Sequence, residues 1–265
     1  MPELPDVQVF KQYLDATALH QTVDKVEVMV PRLLQKGLSA RSLQYRLKGR
    51  RFEQTRRHGK YLLTATDGAE SLVLHFGMTG RLQYGKFNSD TPDYTGVLFR
   101  FDNGYALDYI NVRKLGTVGL VENAEQFLRD EDLGIDALDA ALDTAHFAEL
   151  ARAHNKSVKC WLMDQSLIAG IGNIYSDEIL FQARLHPKRS TADLSDAELS
   201  KLYRKMHEVL DTAISAKADP EQLPSSYLLP RREKGQRCPE CGGKIEPISA
   251  CGRTAYYCPE CQREN

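Results

Sequence analysis

Near the start of the chain, apolar positions recur at helical spacing. Val9, Tyr13 and Leu14 share one face across residues 5–19, with Pro5 and Asp6 suited to a first turn. Beyond residue 22 the period shortens. Val23–Val30, Tyr61–Thr66, Ser71–Phe76, Gly96–Phe101 and Tyr105–Ile110 are short apolar or alternating runs, and Gly49, Asp67-Gly68, Asn103-Gly104 and Gly116 punctuate them. Both dipeptides favour hairpin turns, so residues 22–121 are predicted to form an antiparallel sandwich or barrel. After about Val121 the pattern returns to helical spacing, with helices expected over 124–130, 144–152, 156–165, 173–182 and 195–217. Residues 218–236 read as loop and 237–265 as a cysteine-bearing ribbon, giving an α+β chain with no internal repeat and no low-complexity tract.

Composition narrows the class. A chain of 265 residues, 42% hydrophobic and 27% charged, buries a core and is not disordered. No apolar run approaches the roughly 18 residues of a membrane span. The opening Met-Pro-Glu-Leu-Pro-Asp has neither the basic nor the apolar region of a secretory signal, so a cytoplasmic protein without membrane attachment is expected. The net charge of −1 excludes a strongly basic whole-chain field. Charge is nevertheless uneven. Residues 32–62 hold ten Lys or Arg against Glu53, and residues 122–143 hold eight acids against Arg129. A solvated face accounts for either run; a basic band beside His58 can also track phosphates.

Three stretches carry chemistry. Cys238-x2-Cys241 and Cys258-x2-Cys261 are separated by 16 residues, and each pair lets two thiolates in a tight turn grip one tetrahedral ion. Four sulfurs leave no open position, so one structural Zn2+ is expected. Cys251 could substitute as a ligand, but the paired spacing favours the other four; Cys160 and Cys251 are left without a role. The second stretch is Pro2-Glu3. Removal of Met1 would leave Pro2 as a secondary amine, and an α-amino group titrating near 8 is roughly one-tenth unprotonated at neutral pH, against fewer than about one in a thousand for lysine. Attack on a sugar carbon would give an iminium with no N–H to lose, a persistent electron sink, and Glu3 could handle protons beside it. The plainer reading is that Pro2 and Pro5 shape a helix start. In the third stretch, Gly170-Ile-Gly172 leads into a helix near Asn173, where backbone N–H groups can hold an anion such as a DNA phosphate; a plain helix connection is the alternative.

Pro2-Glu3-Leu4-Pro5, Leu167 to Glu178 and the C-terminal cysteine pairs together resemble the formamidopyrimidine-DNA glycosylase/endonuclease VIII family, and the first branch more closely. Arg57-His-Gly-Lys60-Tyr-Leu-Leu resembles that family's strand with a catalytic lysine. Leu74-His75-Phe-Gly-Met78-Thr-Gly80 resembles its loop with a phosphate-contacting histidine and an intercalating methionine. Gly252-Arg253-Thr254 resembles its ribbon hairpin.

The resemblance implies two lobes: an N-terminal helix plus antiparallel β-sandwich, then a helix-two-turn-helix lobe carrying a four-cysteine zinc ribbon, with duplex damaged DNA held between them. In domain terms this is 1–123, 124–225 and 226–265. It implies a monomeric DNA glycosylase and abasic-site lyase with Pro2 as nucleophile and Glu3, Lys60 and Arg253 as catalytic groups. His75, Lys156 and Asn173 would hold phosphates, Met78 and Leu115 would fill the hole left by the extruded base, and Arg113 would read the orphaned partner. The chain departs from the family pattern in several places: Leu115 stands where phenylalanine is common, Asn111 where aspartate is usual and Asp6 where glutamate is usual, Leu229-Pro230-Arg231-Arg232-Glu233 replaces a Tyr-Gly-Arg pattern before the ribbon, and the 218–230 loop is shorter than the family's lesion-capping loop. A preference for oxidised pyrimidines, as in the endonuclease VIII branch, and a non-catalytic DNA-structure binder are the competing readings. A zinc-ribbon transcription or RNA factor would leave Pro2-Glu3 and the glycine turn unexplained.

Overall fold

The computed structural model describes residues 1–88 and 91–264. By contacts the chain falls into two compact units: Met1–Pro2 with Asp6–Glu131, and Glu3–Pro5 with the chain from Asp132 onward.

The first unit holds most of α1 (Leu4–Thr17), eight strands and two shorter helices. The strands are β1 (Val23–Val28), β2 (Phe52–His58), β3 (Tyr61–Thr66), β4 (Ser71–His75), β5 (Gly80–Lys86), β6 (Thr95–Phe101), β7 (Tyr105–Asn111) and β8 (Thr117–Val121); the helices are α2 (Ala40–Leu47) and α3 (Ala124–Asp130). They form two four-stranded antiparallel sheets, β1-β6-β7-β5 and β2-β3-β4-β8. One core takes side chains from both: Phe99, Leu107 and Tyr109 from the first, Phe52, Leu62, Leu74 and Val118 from the second, with Val7 and Leu14 of α1. Two open sheets sharing a core make a sandwich, which resolves the choice between sandwich and barrel. Asp67-Gly68 and Asn103-Gly104 turn the β3–β4 and β6–β7 hairpins, and Gly104 takes φ +81°, a conformation that favours glycine.

Sequence pattern missed β2, β5, β8 and α2. β2 and β5 are dominated by charged and polar residues on their exposed faces, so little apolar alternation survives. The short helix α2 sits in the basic run; it is set by the Ser39 cap, which accepts the Ser42 N–H at 3.1 Å, and by burial of Leu43 and Leu47. Much of that basic run is matched locally. Arg46 pairs with Glu70, Arg51 with Glu53, Arg56 with Glu125, and Arg57 Nε donates to Gln8 Oε1 at 3.0 Å. These pairs account for a good part of the run as an ordinary charged face.

The second unit is helical: α4 (Thr144–Arg152), α5 (Val158–Leu162), α6 (Asn173–Ala183) and α7 (Asp196–Ser215), with a two-residue parallel pair of β9 (Ile135–Asp136) and β10 (Ile168–Ala169). Its core gathers Leu4, Phe147, Trp161, Ile171, Ile179, Leu202 and Val209. α7 opens on a reciprocal box between Ser195 and Glu198. α5 is shorter than the 156–165 expected. Ser157 caps its start, and beyond it the Asp164 carboxylate accepts the Ser166 N–H at 3.1 Å, a local turn that competes with helix. The chain ends in a hairpin of β11 (Glu246–Ala250) and β12 (Arg253–Tyr257) beside the cysteine knuckles, whose small core is Phe181, Leu228, Ile245, Cys238 and Cys258. Among the described residues no helix is long and apolar enough to cross a membrane.

Candidate active site

The two glycines before α6 have different reasons. Gly170 takes φ +115°, and its carbonyl accepts the Leu4 N–H at 3.0 Å, tying the start of α1 to this turn. Gly172 has φ −128° and is the N-cap of α6. The fully buried Glu3 carboxylate lies over that helix end. Gly172 N–H and Tyr175 N–H donate to its Oε2 at 2.8 and 3.1 Å, and Ile174 N–H donates to Oε1 at 2.8 Å. The anion at this helix N-terminus is therefore the protein's own carboxylate. The sequence placed a DNA phosphate there, because spacing alone cannot show that Glu3 folds back onto amides about 170 residues downstream. Pro2, half-buried, precedes Glu3 directly in the chain.

Beneath the same helix turn lies a buried charge network that the sequence did not reveal. Lys159, fully buried, directs Nζ to Ser176 Oγ (2.6 Å), Asp177 Oδ1 (2.6 Å) and the Asn173 carbonyl (3.1 Å). Burial lowers the Lys159 pKa, while Asp177 and the nearby Glu3 oppose that shift. Asp177 Oδ2 accepts from Arg232 Nε (2.8 Å) and from the Tyr256 N–H (3.0 Å), and the Arg232 guanidinium lies 4.9 Å from the Tyr256 ring centre. Asn173 Nδ2 donates to the Thr254 carbonyl at 3.1 Å. One helix turn thus holds Glu3 and also anchors the strand on which Arg253 stands exposed. A lysine and an aspartate inside apolar helical stretches were the available signal. Lys156, expected to contact DNA, is engaged with Asp164 at 2.6 Å. Burial works against the charged Asp164 carboxyl, but donors from Lys156 and Ser166 outweigh it and hold its pKa down.

In the first unit, Lys60 occupies the Gly59-Lys60 turn between β2 and β3 rather than a strand, and His75 closes β4 beside Tyr61, ring centres 4.9 Å apart. Burial and then the Lys60 charge push the His75 pKa down, so its imidazole is neutral near pH 7. Two loops interlock after β4 and β7. Arg113 N–H donates to Thr79 Oγ1 at 2.9 Å, and a Cβ at Gly77 would sit 2.7 Å from Gly116 N. From these loops Met78, Arg113 and Leu115 project exposed, Met78 at 39% and Leu115 at 54%. Asn111 is buried under them. Its Nδ2 donates to the Phe76 carbonyl at 3.1 Å and to Tyr109 Oη at 3.2 Å, while Oδ1 accepts the Leu115 N–H at 3.3 Å. An aspartate could not donate to Phe76, which is a physical reason for the amide here.

Cys238, Cys241, Cys258 and Cys261 bring their Sγ atoms within 4.8 Å of one another. The Cys238–Cys261 and Cys241–Cys258 separations are 3.8 and 3.5 Å. Zn–S bonds of about 2.3 Å in a tetrahedron require S–S edges of about 3.8 Å, so the donor set fits one structural zinc. Cys251 is not a ligand: it forms a disulfide with Cys160, Cα atoms 5.5 Å apart, a pairing that 91 residues of separation concealed.

Comparison with known proteins gives full-length matches. Residues 1–118 match the formamidopyrimidine-DNA glycosylase N-terminal domain, 133–224 the formamidopyrimidine-DNA glycosylase H2TH domain, and 230–263 a double zinc ribbon. The formamidopyrimidine-DNA glycosylase of Heliobacterium modesticaldum is 35% identical, covering 99% of this chain and 100% of the relative. That of Desulforamulus reducens is 32% identical, covering 99% of each. Among solved structures, wild-type Lactococcus lactis Fpg (MutM), complexed with DNA containing N7-benzyl-Fapy-dG, superposes with a TM-score of 0.90 at 26% identity, covering 99% of this chain and 100% of that one. MutM complexed with DNA containing carbocyclic 8-oxo-G gives 0.89 at 27% identity, with the same coverage.

Proposed function

The chain belongs to the formamidopyrimidine-DNA glycosylase family, and from that premise we propose how its own residues carry out excision and strand cleavage. The protein is a DNA glycosylase of base excision repair, with the lyase activity of its family and one structural zinc. Its substrate is duplex DNA, and ring-opened or oxidised purines are the lesion class favoured by the relatives' names and by the DNA in the matching structures. It acts as a monomer in the cytoplasm, at the nucleoid, without membrane attachment.

The observation that carries the mechanism is the Glu3 carboxylate, fully buried and fixed by three backbone N–H groups directly beside Pro2. With Met1 removed, the Pro2 amine attacks C1′ of the damaged nucleotide. The C1′–N bond breaks, the base leaves with a proton, and the sugar ring opens to a C1′ iminium as O4′ is protonated; Glu3 relays protons at the sugar. The iminium acidifies the C2′ hydrogens, so β-elimination expels the 3′ phosphate and δ-elimination the 5′ phosphate, leaving a one-nucleoside gap. The Lys60 ammonium offsets negative charge developing at the sugar and phosphate, and Arg253 serves the same end from the ribbon hairpin. His75 as a neutral donor, Asn173 and Lys156 hold phosphates, Lys156 by exchanging Asp164 for the backbone.

Extrusion of the base costs a few kcal/mol. In this reading Met78 and Leu115, both exposed and apolar, fill the vacated stack, and exposed Arg113 reads the orphaned base. The test is borohydride trapping on abasic-site DNA followed by mass spectrometry. A covalent adduct on Pro2, lost in Pro2→Gly and in protein that retains Met1, is the expected result; a linkage on another side chain, or none with a competent duplex, overturns the mechanism.

A further inference from the structure

We propose that the Cys160–Cys251 disulfide is a positioning cross-link for Arg253, which makes DNA engagement by the ribbon hairpin sensitive to thiol reductants. The proposal rests on the reading of Arg253 as the ribbon-hairpin group that offsets negative charge at the sugar and phosphate of the bound DNA. β11 and β12 pair from Glu246↔Tyr257 to Ala250↔Arg253, so the tip of the hairpin is Cys251-Gly252 alone. Both tip residues lie in the left-handed region, at φ 55° and 65°. For glycine that is ordinary; for cysteine it is uncommon, so the side chain at 251 has a use that offsets the backbone preference. Its sulfur reaches Cys160 on α5. The next residue back, Lys159, is the buried cation under the Glu3-bearing turn of α6. The disulfide therefore joins the hairpin tip, two residues from Arg253, to the short helix that supports that turn.

Without the bond, the hairpin is held through β12, by Asn173 to the Thr254 carbonyl one residue from Arg253 and by Asp177 to the Tyr256 N–H, and through the zinc knuckles beyond. Residues 251–254 are all exposed and Cys160 is half-buried, so the cross-link lies at the protein surface, where a small thiol approaches from the hairpin side. The exchange balances with a thiol as reductant. A thiolate attacks Cys251 Sγ, Cys160 leaves as thiolate and takes a proton, and a second thiol resolves the mixed disulfide; two protein thiols and one small-molecule disulfide result. Once freed, the Arg253 guanidinium samples several positions, and the ordering cost is transferred to DNA binding.

The test uses the full-length zinc-loaded protein across a series of reduced-to-oxidised glutathione ratios, with thiol content read by mass spectrometry and zinc content checked. Affinity for a duplex bearing a tetrahydrofuran abasic site should weaken about tenfold on reduction, and the single-turnover nicking rate should fall with it. Cys251→Ser should bind like the reduced protein and show no response to glutathione. In Arg253→Ala the oxidised and reduced forms should bind alike, a readout that mere loss of stability would not give. Equal affinity in the two states of the wild-type protein, or a redox effect of full size in Arg253→Ala, overturns the proposal. Absence of nicking in both states, with the redox-dependent affinity intact, would instead refute the catalytic reading and leave the cross-link standing.

Discussion

Substitution of Gly172 by alanine isolates the contact on which the proposed chemistry depends. The backbone there is extended, φ −128° and ψ −158°, and tolerates any L-residue. The three atoms nearest the added methyl all belong to Glu3: it would overlap the carboxylate carbon and Oε1 and lie 2.8 Å from Cγ. The carboxylate must withdraw, and with it go some or all of the hydrogen bonds from Gly172, Ile174 and Tyr175. Hydrogen bonds to a charged group are worth about 1.5–3 kcal/mol each, so loss of two, partly recovered by water, displaces Glu3 at a cost of about 2–4 kcal/mol. If Glu3 relays protons at the sugar, its misplacement should slow base excision by about 100-fold or more, within the usual range for a positioned general acid or base. Affinity for an abasic-site duplex should change less than about threefold. Gly170→Ala is the contrast: φ is +115° and the added Cβ would crowd Leu4, so stability should fall along with activity. Single-turnover excision on a duplex with one 8-oxoguanine, alongside thermal melting, separates these outcomes. A folded Gly172→Ala protein that excises at the wild-type rate would refute the role given to Glu3.

Two further outcomes follow from buried groups. Glu178 is fully buried, and burial pushes its pKa up to about 7 although Gln182, Leu229 and Leu228 donate to the carboxylate. The folded state then holds a proton that the unfolded state releases at lower pH, so stability is greatest below the unfolded value and is lost as pH rises towards 7. A shift from 4.5 to about 7, at about 1.4 kcal/mol per unit, is worth about 3 kcal/mol. Denaturant unfolding at a series of pH values should show this slope between pH 5 and 7, and Glu178→Gln should flatten it; an unchanged slope would place the proton elsewhere. Removal of zinc should unfold residues 237–264 and abolish DNA affinity, because the small ribbon core depends on the metal for folding free energy. Intact binding after verified metal loss would contradict that dependence.

What the sequence by itself determined is the chemistry that is local or paired in spacing. The period change near residue 22 and again near 121, the two hairpin dipeptides and the four cysteines each specify their structure within a few residues, and the β3–β4 and β6–β7 hairpins and the sulfur cluster stand as that reading requires. The family, too, was legible in short motifs spread from Pro2 to Cys261. Only the tertiary structure decided which groups share a site. Glu3 as the anion on α6, Lys159 buried against Asp177, Arg232 reaching the same carboxylate, and Cys160 joined to Cys251 are all contacts made across long stretches of chain. No periodicity encodes such contacts: they arise because burial forces each polar group to find a partner wherever the packed elements bring one within reach.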